Sequence, residues 1–237
     1  IFLSAFFIIS CERANNTDDT YTEDVAEDIA AALGSTNTGI SEEIAQTIAM
    51  AEEYAASSLK SIMEDTVYLV DTSYTKTSPA GSLITYSFAF EMQFGYVFSN
   101  NKLASINYNS SVEGEFDAPR LGSSESRTSE WTMTGVEITA SEYILNGSSD
   151  RTGNSQSKVR NKSQVMSSSS ISLSNVTVNK STLEITGGTL SWEIDGTVNG
   201  ESFAYSATIV YMGDGLAQLS LNGNTYNVDI TSGDIVE

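Results

Sequence analysis

Residues 83–98 read LITYSFAFEMQFGYVF. Every even position in this stretch is large and apolar: Ile84, Tyr86, Phe88, Phe90, Met92, Phe94, Tyr96 and Phe98. The odd positions Thr85, Ser87, Glu91 and Gln93 are polar. A period of two places all eight large side chains on one face of an extended strand, whereas a helix would scatter them around its circumference. Burying each such side chain contributes about 1.5–3 kcal/mol before ordering costs, so the row demands cover. A stretch this long exceeds the usual strand. It is expected to bend or split, with Gly95 as the bend or bulge.

The same alternation continues downstream through Ala104, Ile106, Tyr108, Val112 and Phe116. Nearer the C-terminus, Leu190, Trp192, Ile194 and Val198 form one inward row, followed by Asn199-Gly200, a strong two-residue hairpin signal. Phe203, Tyr205, Ala207, Ile209 and Tyr211 return, Asp214-Gly215 turns, and Ala217, Leu219 and Leu221 run on to Asn222-Gly223. Tyr226, Val228 and Ile230 complete the pattern. In between, Trp131 and Met133 are odd while Val136 and Ile138 are even, which places a bulge or turn near Gly135. Residues 147–170 are rich in Ser, Asn and Gly, and their signal is weak. Lys158, Arg160 and Lys162 would share one face of a strand there, as charged guards of an exposed strand or as a small anion or glycan contact. The expected fold is mainly β: an antiparallel meander over 66–237, of eight to ten strands, curled into a barrel-like or sandwich form.

Residues 20–65 instead carry a helical period and should form two helices. Thr20 and Glu23 have capping-box spacing, Val25, Ile29, Ala32 and Leu33 share a face, and Gly34 is a natural stop. Ser41, Glu42 and Glu43 open the second helix, whose stripe is Ile44, Ile48, Ala51, Ala55, Leu59 and Ile62. Residues 12–65 hold 13 acids and 2 bases, a net of −11. These acids are expected on a solvated helix face; an acidic docking surface for a cationic partner is the alternative.

Across the whole chain, 31 acids against 11 bases give a formal charge of −20. Binding to a nucleic-acid backbone needs clustered positive charge, so nucleic acid is not an expected partner. With no His and one Cys, His-based zinc sites, Ser-His or Cys-His nucleophile pairs and internal disulfides are excluded.

The chain opens IFLSAFFIIS, a ten-residue run too short to span a bilayer but of the length of a signal-peptide apolar region. It begins with Ile rather than Met, and is expected to be a fragment lacking the charged start of such a signal. The run ends Ile8-Ile9-Ser10-Cys11, and Cys11 is the single cysteine. These four residues with the apolar run before them resemble the lipobox of bacterial lipoproteins. The resemblance implies cleavage before Cys11, its lipidation, and anchoring of the mature chain to a membrane in the cell envelope, at the outer membrane or cell surface. Three acyl chains exceed the two signals that stable anchoring takes. Residues 11–19 read as an acidic tether.

Carboxylates, Ser, Lys and Tyr remain as candidate chemistry. Glu113, Glu115 and Asp117 alternate on one strand face and could meet calcium through oxygen ligands, but they lack a glycine-centred binding loop. Glu193 and Asp195 could in principle pair as glycosidase carboxylates; surface polarity explains them better. Thr186-Gly187-Gly188 and Gly213-Asp214-Gly215 lead into no helix and so read as hairpin or bulge chemistry rather than phosphate loops. No metal or cofactor is expected, and the expected role is a non-enzymatic structural or binding one, with the protein or glycan partner open. The aromatic row has three possible covers: the two helices, an opposite wall of the sheet, or a lipid-like ligand lined by Phe88, Phe90, Phe94 and Tyr96. The last would resemble, in layout alone, the half-barrel carriers that move lipids or lipoproteins across the periplasm. A carboxylate-dependent glycan hydrolase is a third, weaker possibility.

Overall fold

The computed structural model describes residues 21–56, 67–159 and 162–236. The expected signal segment, Cys11, Thr20, Leu59, Ile62 and Arg160 lie outside them. Two helices come first, α1 (Thr22–Leu33) and α2 (Ile40–Ala56), joined through a short 3-10 turn at Ser35–Asn37. Eleven strands follow: β1 (Val67–Thr77), β2 (Thr85–Ser99), β3 (Lys102–Asp117), β4 (Leu121–Thr134), β5 (Glu142–Ser157), β6 (Gln164–Asn179), β7 (Ile185–Val198), β8 (Glu201–Gly213), β9 (Leu216–Leu221), β10 (Asn224–Asp229) and β11 (Asp234–Val236). They form one antiparallel sheet in which spatial order equals chain order, with β1 and β11 as its open edges. The fold is therefore the expected mainly-β meander with a helical N-terminal segment, built from more strands than the apolar rows alone reveal.

Local chemistry explains the turns. Asn199-Gly200, Asp214-Gly215 and Asn222-Gly223 all hold both residues at positive φ. That is the type I′ geometry matching the twist of the flanking strands, and Asn, Asp and Gly adopt it at least cost. Gly135 is also at positive φ, just beyond the end of β4, so the change of parity after Met133 is a turn.

β2 runs unbroken over 15 residues, contrary to the expected bend. Gly95 sits in regular register opposite Asn107, and the irregularity falls between Val97 and Phe98. Lys158 lies just past the end of β5, and Lys162, at φ 54°, lies before the start of β6, so neither of these two bases stands on a strand face.

The helices lie on one face of the sheet, and the sheet wraps them from edge to edge. α2 covers the first strands: Lys76 of β1 bridges Glu42 at 2.7 Å, the Tyr96 hydroxyl of β2 reaches the Met50 carbonyl, and the Trp131 indole of β4 donates to Thr47 Oγ1 at 3.1 Å. α1 meets the last ones. Asn222 donates to Thr22 Oγ1, and Gly34 packs so tightly on the β10–β11 turn that a Cβ there would stand 2.6 Å from the Gly233 nitrogen. Gly34 thus ends α1 by close approach rather than by a left-handed cap; its φ and ψ are −64° and 131°. The adjoining backbone is pinned by Ser35 N–H to the Ile230 carbonyl and Thr36 N–H to the Thr231 carbonyl, both at 2.9 Å.

Candidate functional site

The inner faces of β4, β5 and β6 break the apolar rule of the rest of the sheet. Ser123, Arg127 and Ser129 on β4, Ser149, Arg151 and Ser155 on β5, and Ser167 and Ser169 on β6 are all buried. They face two buried acids of the helices, Asp28 and Glu43. Both acids fall within the apolar stripes, Asp28 between Val25 and Ile29, and Glu43 beside Ile40 and Ile44. These two carboxylates do not belong to the solvated helix face expected of the segment. The exposed acids Glu23, Glu52 and Glu53 do.

Five charged groups join into one hub. Arg127 donates from Nε to Glu43 Oε2 at 2.7 Å, from Nη1 to Glu125 Oε1 at 2.6 Å, and from Nη2 to the Thr38 carbonyl at 2.8 Å. Glu125 offers its other oxygen to Arg151 Nε at 2.7 Å. Arg151 then reaches Asp28 through Nη1 at 3.0 Å. Hydroxyls fill the remaining acceptor positions: Tyr108 donates to Glu43 Oε1 at 3.1 Å, Ser110 donates to the same oxygen, and Ser167 donates to Asp28 at 3.0 Å. Both guanidinium side chains are no more than 1% exposed. Removing charge from water is repaid only where lone pairs and protons are satisfied in this way.

Electrostatics follow the burial. For Arg127 and Arg151, burial alone would lower the pKa, but the surrounding carboxylates outweigh it and hold both above the ordinary value. Burial first, and then Glu43, pushes the Tyr108 phenol well above its usual range. Tyr74, stacked on Phe90 with ring centroids 4.7 Å apart, is pushed up to about 12 by burial and then by Glu42 and Glu43. Burial raises Tyr211 to about 12. A phenol whose folded pKa exceeds its unfolded one favours folding below the unfolded value and loses that preference as pH rises through the folded one. Alkaline spectrophotometric titration should therefore show Tyr74 and Tyr211 ionising only near 12, above the ordinary 10.0, with unfolding setting in as they do. A single transition near 10 for all tyrosines would contradict these environments.

The residues singled out from the sequence lie elsewhere. Phe88, Phe90, Phe94 and Tyr96 are inside the helix–sheet interior, each at most 1% exposed. The Phe94 ring tilts against Tyr108, which stacks on Trp131 at 4.8 Å. Glu113, Glu115 and Asp117 are exposed on the outer face of β3, Asp117 bridging Lys158. Among the described residues no group of three or more His, Cys, Asp or Glu is placed to hold a metal ion. Glu193 and Asp195 are exposed on β7, Glu193 accepting from Ser206 at 2.6 Å. Among the described residues no helix is long and apolar enough to cross a membrane.

The hub escaped a reading by hydrophobic alternation because its inward residues are polar. Its signal was present in another form: two acids inside apolar helical stripes, and two isolated arginines at inward strand parity. No family model, curated protein or solved structure matches the chain.

Proposed function

We propose that the chain is an exported bacterial lipoprotein, anchored through Cys11, that serves as a non-enzymatic structural or binding module of the cell envelope. The observation that supports a scaffold role is the hub itself. The inner face of the sheet is occupied by the chain's own helices, and these are fastened by buried ionic hydrogen bonds from Asp28 and Glu43 to Arg151 and Arg127. Each charged group of the hub is committed to a partner within the fold, which suits rigidity rather than turnover. The sequence ending Ile8-Ile9-Ser10-Cys11 supports export and anchoring.

The alternative, a carrier of an apolar ligand lined by Phe88, Phe90, Phe94 and Tyr96, would require α2 to leave the space above those rings. One preparation tests both readings. Intact mass of protein taken from membrane fractions should show an acylated N-terminal Cys11, and organic extraction of that sample should release no stoichiometric lipid beyond the anchor. An unmodified thiol at Cys11 would end the anchored reading, and a stoichiometric second lipid would replace the scaffold with the carrier.

A further inference from the structure

While α2 leans on the first strands, its other flank faces the turns of the last ones. Ser41, Ile44, Ala45 and Ile48 share that flank, as residues spaced three and four apart on a helix do. Opposite them stand Leu183 and Glu184 of the β6–β7 turn, Asp214 of the β8–β9 turn, and Ile230 just past β10. Together they line a cavity of about 330 Å³, at the lower end of the range of small-molecule sites. Ile44, Ile48 and Ile230 give it apolar walls, and the exposed Leu183, Glu184 and Asp214 stand at its mouth.

The wall at Ser41 holds unspent polar chemistry. Ser41 is 6% exposed and its neighbour Tyr211 is 3% exposed. Neither hydroxyl completes a hydrogen bond at good geometry, although the two face each other. Even a closed pair would leave one proton and most of the lone pairs unused. A buried hydroxyl without a partner is costly, and native interiors rarely keep one. A polar group seated beside Ser41 would supply what is missing.

Charge at the mouth has one sign. Glu184 and Asp214 are exposed there, and no base is among the described residues that line the cavity. Lys180, in the same turn as Glu184, points its Nζ at the Glu137 carbonyl, 2.6 Å away, and lies 4.7 Å from the centre of the Tyr143 ring. On a chain of net charge −20, the field at this mouth favours a cation and opposes an anion.

We propose that the cavity between α2 and the β6–β7 and β8–β9 turns binds a small alkylammonium compound. Its chain lies against Ile44, Ile48 and Ile230, and its ammonium donates to Ser41 Oγ within the field of Glu184 and Asp214. The site is separate from the hub and from the aromatic row, and it does not depend on the membrane anchor.

The probe is n-hexylamine, protonated at neutral pH, with hexanoate as its anionic counterpart, read by isoleucine-methyl NMR of the full chain. Hexylamine should shift the Ile44, Ile48 and Ile230 methyls saturably, and hexanoate should bind several-fold more weakly. Ala45→Phe, at an exposed helix position, should plug the cavity and abolish the saturable shifts without moving the denaturation midpoint. Two further variants probe the site without adding bulk. Ser41→Ala should weaken hexylamine several-fold, and so should Glu184→Gln combined with Asp214→Asn, since Asn keeps the positive φ of 52° at position 214. Shifts that rise only linearly with concentration, equal binding of the two probes, or hexylamine affinity unchanged in all three variants would each overturn the proposal.

Discussion

Arg127→Met is expected to lower the stability of the protein by about 3–5 kcal/mol, because it strips the cation from a buried carboxylate and fills the space with a side chain of similar volume. Glu43 would keep the hydroxyls of Tyr108, Ser110 and Ser129 but lose its only cationic partner among the described contacts. Domains usually hold about 5–15 kcal/mol in reserve, so this one change removes a large share. The measurement is the midpoint shift in chemical denaturation at constant slope. Adding Glu43→Gln to the same chain should recover part of the loss, since no buried charge is then stranded; that non-additivity distinguishes an ionic hub from simple packing. A loss below about 1 kcal/mol would mean that water reaches Glu43.

Trp131→Ala should cost a comparable ~3–5 kcal/mol, by the different route of an uncollapsed cavity. The indole is 1% exposed, stacks on Tyr108 and donates to Thr47 Oγ1 of α2. It joins the aromatic layer to the helix that covers it. Trp131→Phe keeps a ring against Tyr108 and gives up only the hydrogen bond and part of the volume, so its loss should be much smaller. The same denaturation measurement reads both. Equal losses for Ala and Phe would place the energy in the N–H rather than in the ring.

Much of this architecture is legible in side-chain alternation. The rows led by Phe88, Tyr108, Trp192 and Tyr205 mark strands whose inner faces are apolar, and the Asn-Gly and Asp-Gly pairs mark their hairpins. Legibility fails where the sheet meets charge. β5 and β6 present Ser149, Arg151, Ser167 and Ser169 inward, because what lies opposite is Asp28 rather than a leucine. Polar alternation carries no hydrophobic period, so these strands read as a loop-like Ser and Asn stretch. Gly95 misled in the opposite sense. A glycine within a strand often marks a bulge, but here the neighbouring Leu69 and Val67 side chains lie over it, at 3.4 and 3.5 Å from where its Cβ would be. The chemistry of Cys11 and the lining role of the aromatic row belong to a different level, since neither alternation nor burial reports on covalent modification or on an occupant.

A meander whose every strand pairs with its predecessor can zip up as the polypeptide emerges, one hairpin at a time. The helices obey another timetable. They are made first, yet Thr22 waits for Asn222 and Gly34 for Gly233. α1 is therefore fastened at both ends only after α2 has met the early strands, while Asp28 and Glu43 stay hydrated until Arg151 and Arg127 have followed them.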